Sequence, residues 1–280
     1  MRIAPTLAAL LVAAPAAAQE VRRPLLEAGI IGGAGLLPDY PAAEDSQVRA
    51  LALPWVIYRG ELVQSDERGL RGRLYRATDL ELTLNVNGAV GTGSRSGTVR
   101  EGMEDLDWLG EVGPSLRYTA WRDAARRSRV TLELPVRAAF GTDFSRIRHR
   151  GFVVAPEAAY ERSGLFGTEA RGRIGIGPVF ASGALMDHWY RVKPSQARPG
   201  RPAYNGDGGY LGTRLQFSLR MPVSERVWLS AGGRVENFSG AANADSPLFR
   251  SEWNVSLVGG VSVTLYSSAA TAASTAEPFD

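Results

Sequence analysis

Between Leu80 and Val90 apolar and polar residues alternate without a break. Leu80, Leu82, Leu84 and Val86 fall on one face of an extended chain, and Glu81, Thr83, Asn85 and Asn87 on the other. A period of two belongs to a strand with one apolar and one wetted face, because successive side chains point to opposite sides of the pleat. The alternation returns along the chain. Leu26, Ala28 and Ile30 oppose Glu27 and Gly29, and Leu51, Leu53, Trp55 and Ile57 oppose smaller or mixed residues. Val130, Leu132, Leu134 and Val136 oppose Thr131, Glu133 and Arg137, while Leu211, Leu215, Phe217 and Leu219 oppose Arg214, Gln216, Ser218 and Arg220. A last segment sets Val255, Leu257, Val261, Val263 and Leu265 against Asn254, Ser256, Ser262 and Thr264. No segment of comparable length carries a capped helical period, so the pattern predicts an all-β chain.

The links between these segments alternate in length. Long polar or Gly-rich links fall near 37–47, 94–107, 142–150, 182–208 and 240–251, and short ones near 59–61, 77–78, 122–128, 162–165 and 221–225. Long loops at one rim and tight turns at the other define a transmembrane antiparallel up-and-down β-barrel. The predicted tally is about twelve strands, with 61–65 and 69–76 as a short hairpin, or about ten if that hairpin does not cross the membrane.

The charges decide which face is wet. Turning the polar face outward would place arginines in hydrocarbon, at about 2 to 4 kcal/mol for each at mid-depth. Trp108 and Tyr118 share a face ten residues apart, a spacing of roughly 25 Å along a tilted strand, which matches an apolar band edged by aromatics. The apolar faces are therefore assigned to lipid. Glu81, Glu133, Arg137, Glu169, Arg171, Arg173, Arg214, Arg234 and Glu236 are assigned to the lumen, with Glu27, Glu111, Arg117, Glu157 and Arg220 of the same parity. Such charges either pair across strands or line a pore for small solutes.

The remaining bulk properties narrow the setting. Among 280 residues there is no cysteine, the net charge is only +3, and Lys193 is the sole lysine. A disulfide framework and a thiolate metal site are excluded. The arginines are scattered and no basic helix accompanies them, so nucleic-acid binding is not expected. Residues 1–18 combine Arg2, an apolar stretch from Leu7 to Ala14 and the small residues Ala16, Ala17 and Ala18 before Gln19. They read as a cleaved signal peptide, too short to span a bilayer. The predicted organisation is a signal peptide over 1–18, a barrel over 19–266 and a disordered Ala/Ser/Thr-rich tail over 267–280. The expected location is the outer membrane of a Gram-negative cell, in contact with lipid and lipopolysaccharide.

Gly32-Gly33-Ala34-Gly35-Leu36-Leu37-Pro38-Asp39-Tyr40-Pro41, followed by Leu53-Pro54-Trp55-Val56-Ile57-Tyr58-Arg59-Gly60, resembles the MipA/OmpV family. So do Leu134 to Phe140 with Gly151 and Pro156 after it, and Asp245-Ser246-Pro247-Leu248. Pro38, Asp39, Tyr40 and Pro41 form the most specific of these segments. The family segment usually continues with Gly-Ser, whereas Ala42 and Ala43 follow here. Outer-membrane barrels typically end on an aromatic residue; here Tyr266 closes the last strand, and the tail runs on to Asp280. The resemblance implies an outer-membrane barrel whose namesake is a scaffold between a murein transglycosylase and a murein synthase.

Catalytic chemistry has little to stand on. His149 and His188 fall in expected long loops, where Asp143, Asp187 or Asp207 would have to orient them. No spacing places a base beside a nucleophile, and no enzyme is expected. Gly33-Ala34-Gly35 lacks a third glycine and a following helix, so it is not a dinucleotide loop and no cofactor is expected. No acidic or histidine cluster has metal-ligand spacing. The expected function is structural or scaffolding, with a diffusion pore as the alternative and a hydrolase at the rim a distant one.

Overall fold

The computed structural model describes residues 23–58, 63–66, 69–89, 91–125 and 127–272. Residues 1–18, read as a signal peptide, lie outside the described residues, as do 273–280 of the tail. The extended segments are β1 (Arg23–Pro24), β2 (Leu26–Pro38), β3 (Ser46–Tyr58), β4 (Val63–Asp66) and β5 (Gly69–Arg76). They continue as β6 (Leu80–Ala89), β7 (Trp108–Arg122), β8 (Ser128–Thr142), β9 (Ile147–Val154) and β10 (Glu157–Leu165). The last are β11 (Ala170–Ala181), β12 (Gly209–Pro222), β13 (Val227–Asn237), β14 (Trp253–Ser267) and β15 (Thr271–Ala272).

Neighbours pair antiparallel in the order β3-β2-β14-β13-β12-β11-β10-β8-β7-β6-β5-β4. The last long strand pairs with the first, from Leu257 opposite Leu36 to Ser267 opposite Glu27, so the meander returns on itself. The ladder is interrupted only between β3 and β4 among the described residues. The predicted barrel is present, and the 61–65/69–76 hairpin is β4 and β5, of 4 and 8 residues. β9 and β10 occupy one position between β8 and β11, one continuing the other. The break between them falls at Ala155-Pro156, where proline has no N–H to give a ladder.

Residues directly opposite each other in an antiparallel pair share a face, so register assigns sides. Glu81, Thr83, Asn85 and Asn87 face the same way as Arg117, Ser115, Gly113 and Glu111, and these face with Glu133, Pro135 and Ala139. That side is the interior. Leu84, Val86, Leu116, Tyr118, Leu132 and Leu134 form part of an exposed apolar belt outside.

β3 corrects the rule that apolar faces point to lipid. Trp55 pairs opposite Gly29, Leu53 opposite Ile31 and Leu51 opposite Gly33, on the same face as Gln47 and Arg49. That face is interior, because Gly33 lies opposite Gly260 on β14, in parity with Ser262 and Ser256. The outer face carries Val48, Ala50, Ala52, Pro54, Val56 and Tyr58. Both faces of this strand are apolar, so its alternation has no sign until the register with β2 supplies one.

The buried apolar core sits at the end with the long loops. Tyr40, Met103, Leu106, Leu185, Met186, Tyr190, Val192, Phe238 and Leu248 pack together there. Part of it is α1 (Gly183–Tyr190), a helix within the expected 182–208 loop. The tail also differs from expectation: Thr271 and Ala272 pair with Pro24 and Arg23. The Ser268 N–H donates to the Leu26 carbonyl at 2.8 Å, and the Leu25 N–H donates to that of Ala270 at 2.7 Å. Small residues carry no amphipathic signature, but their backbone groups pair as well as any.

Candidate functional site

Two assemblies gather the chain's polar chemistry: a cap over the long-loop mouth and a charged wall within the barrel. The cap is organised by the Pro38-Asp39-Tyr40-Pro41 segment. Pro38 ends β2, and Asp39 then accepts from Arg95 at 2.6 Å and from Gln47. The Asp39 backbone carbonyl accepts from the Thr92 hydroxyl at 2.8 Å. Tyr40 donates its hydroxyl to the Leu248 carbonyl at 2.8 Å, and Tyr190 on α1 donates to the Pro41 carbonyl at 2.9 Å. The two rings meet edge to face with centroids 6.4 Å apart. Burial pushes both phenols well above the ordinary tyrosine range, so they remain donors.

Ala42 is fully buried with φ of 61°. Its N–H donates to the Asn254 side chain at 2.8 Å, and its carbonyl accepts from the N–H groups of Arg250 and Ser251. The left-handed backbone is what turns both groups toward β14 and the loop before it. The family's usual glycine would adopt this conformation without a Cβ penalty.

Arg100 ties a further loop in, donating to the carbonyls of Trp189 and Glu104, each at 3.1 Å. Its guanidinium lies 5.7 Å from the Tyr40 ring centroid, and burial lowers its pKa. Asn243 holds both backbone polar groups of Asp207, at 2.8 Å each. Loops from four places in the sequence thus close over one another around an apolar core.

The charged wall runs through β6, β7, β8, β10 and β11. Arg117 reaches Glu133 at 2.9 Å and Glu81 at 3.5 Å. Arg173 reaches Glu157 at 2.5 Å, Glu161 at 3.2 Å and Glu133 at 3.6 Å. Arg129 pairs with Glu161 at 2.7 Å with side chains only 5% and 3% exposed. Separate pairs join Arg137 to Glu111 at 2.8 Å and Arg214 to Glu236 at 2.9 Å. Gly175 makes room for this wall: a Cβ there would sit 1.7 Å from a Glu157 carboxylate oxygen.

Of the nine expected lumen charges, the structure joins Glu81, Glu133 and Arg173 in one network and places Arg137, Arg214 and Glu236 in the separate pairs. Arg171 faces Arg220 across β11 and β12. Arg234 shares the inner face with Gln216 and Ser256 and has no ion pair among the described residues. Glu169 lies instead in the exposed turn 166–169. Its parity matches Arg171 and Arg173, but the strand begins only at Ala170. Arg129 and Glu161, the most buried pair, were absent from the expected set. Their parity with Thr131 and with Glu157 was the available signal, obscured by adjacent turns.

The histidines do not assemble a catalytic pair. His149 lies on β9 rather than in a loop, edge-on to Phe140 and Phe152 at 5.5 and 5.0 Å. His188 lies on α1, with Nε2 buried and without a hydrogen-bond partner among the described residues. Burial first, and then the Arg150 charge, depress its pKa to about 4. Asp187 accepts from the Gly206 N–H at 2.6 Å. Asp143 caps its own turn through Ser145 and Arg146, and the Ser145 contacts hold its carboxyl down at about 2. Among the described residues no group of three or more His, Asp or Glu could hold a metal ion.

An antiparallel meander closed first strand to last, apolar outside and ion-paired within, is a transmembrane β-barrel of the outer-membrane class. A family profile described as "MltA-interacting protein MipA" matches residues 30–265. The chain belongs to the MipA family. No curated protein matches it by sequence. Among solved structures it is similar to the NanC porin, with 8% identity and a TM-score of 0.40 over 84% of this chain and 100% of that one. It is also similar to a bacterial polysaccharide outer membrane secretin, with 12% identity and a TM-score of 0.39 over 86% and 98%. An outer membrane channel from Pseudomonas putida F1 shows 10% identity and a TM-score of 0.39 over 90% and 100%.

Proposed function

We propose that this barrel is a non-enzymatic scaffold of the cell envelope, exported by residues 1–18 and anchored in the outer membrane by its apolar belt. Its periplasmic rim then presents the short turns and paired termini to a murein transglycosylase and a murein synthase. The family's description as an MltA-interacting protein supports the first partner. The observation that carries the reading is the cap: the long-loop mouth holds the protein's buried apolar core and is cross-tied by Tyr40, Asn254 and Arg100. A buried core at that mouth, together with lumen charges that mostly pair with one another, supports the scaffold over a diffusion pore.

Photo-crosslinking tests the partner. A photoreactive residue at Glu169 or Glu225, both exposed in short turns, is expected to capture a murein transglycosylase in intact envelopes. The same probe at Phe144, exposed in a long-loop-end turn, is expected to capture none. Capture of neither a murein hydrolase nor a synthase from the short-turn positions would overturn the scaffold reading. The pore alternative is tested by planar-bilayer recording, where the folded protein is expected to give no channel events.

A further inference from the structure

The lumen has a second wall unlike the first. On β3, β2 and β14 the inner face carries Leu51, Leu53, Ile31 and Val258, exposed by 45%, 50%, 38% and 47% respectively. The facing wall is packed by its ion pairs, with Arg129, Thr131, Glu161 and Ser115 all buried. The interior is therefore filled on one side and open along an apolar strip on the other. Exposed apolar surface that faces an enclosed space marks a ligand site more often than an isolated surface residue does.

Two further observations indicate what the strip takes. Arg234 stands on the inner face of β13, one strand from Val258, and forms no ion pair or hydrogen bond among the described residues. Its neighbour Glu236 is committed to Arg214. The charges of Arg214, Glu236, Glu111 and Glu157 act on Arg234 without contacting it, and a guanidinium with no contact partner beside apolar surface is complementary to an anionic head on an apolar chain. In addition, β3 forms a ladder only with β2 among the described residues, and the 4-residue β4 lies against its other side. Along β3, Val48, Ala50, Leu51, Ala52, Leu53 and Pro54 are exposed, so both faces of the strand are apolar.

We propose that the lumen binds a single-chain amphipathic anion, its alkyl chain along Leu51, Leu53, Ile31 and Val258 and its carboxylate or phosphate head on Arg234. Trp55, on the same inner face as Leu53, provides the reporter. The full-length protein in phosphatidylcholine nanodiscs is titrated with dodecanoate brominated at its chain end, which quenches nearby tryptophans. A saturable quench is expected, displaced by unbrominated dodecanoate or dodecyl phosphate and absent in Trp55→Phe. Dodecyltrimethylammonium is expected not to compete, and Arg234→Gln is expected to weaken binding about tenfold, as for loss of one charge-assisted contact.

Quenching that never saturates, survives Trp55→Phe, or is displaced equally by the cationic amphiphile overturns the proposal. Should Trp55→Phe fail to insert, Leu51→Asn with radiolabelled dodecanoate decides instead: lost binding supports the site, and undiminished binding removes it.

Discussion

His188 makes the cap acid-sensitive, and the size of the effect can be worked from its surroundings. The imidazole lies on α1 with Nε2 buried, near the ion pair of Arg150 with Asp107 and within the field of Arg100. Burial, reinforced by Arg150, holds its pKa at about 4 against an ordinary 6.5. When the cap opens the ring returns to water and binds its proton at the ordinary value. The closed state therefore binds fewer protons than the open one at any pH between the two values. Its contribution to cap stability is complete above about 6.5 and is lost as pH falls through the window down to about 4. At ~1.36 kcal/mol per pH unit the full loss approaches about 3 kcal/mol, or roughly a hundredfold in the opening equilibrium.

Hydrogen exchange on the membrane-reconstituted protein measures this directly. Amides of α1 are expected to lose protection as pH falls through the window, after correction for intrinsic exchange rates. Those of the β13–β14 ladder are expected not to. His188→Gln removes the titration and is expected to flatten the α1 profile. Equal acid sensitivity in wild type and variant would refute the reasoning.

Three other outcomes follow from the same geometry. Glu161→Ala removes the buried carboxylate that Arg129 and Arg173 share and is expected to cost about 3–5 kcal/mol, read as a lower urea midpoint of the heat-modifiable gel band; a loss well below that means water already screens these charges. Ala42→Gly is expected to stabilise the cap by about 1 kcal/mol by relieving the left-handed Cβ, and Ala42→Val to destabilise it; protease resistance of the long loops ranks the variants. Tyr40→Phe leaves the Leu248 carbonyl without its donor and is expected to cost about 1–2 kcal/mol, with faster loop proteolysis and an unchanged barrel transition.

The strands were legible because each long segment has one face that water must not see. Leu80 to Val86 show it most clearly, and the opposite parity then named Glu81, Glu133 and Arg173 before any pairing was known. β3 resisted the same reading because Leu51 and Leu53 are backed by Ala50, Ala52 and Pro54, so neither face is polar. α1 was hidden for a related reason. Leu185, Met186, Trp189 and Tyr190 do lie on one helical face, but eight residues without a side-chain cap are too few for a period to stand out. The importance of Pro38 to Pro41 was visible as a family resemblance. Its physical basis was not, because Tyr40 and Ala42 meet partners more than two hundred residues away.

The pairing of β14 with β2 has a consequence for how the molecule comes into being. The Leu26 N–H donates to the hydroxyl of Ser268, 242 residues later, so the ring cannot be completed until almost the whole chain has been delivered. Until then both β2 and β14 present naked edges, and an unfinished barrel is a template for any other strand. Residues 267–272 turn back and join the start of the chain, like a clasp on a bracelet. Removing them is expected to leave the finished barrel standing while lengthening the interval in which a half-made one can join the wrong neighbour.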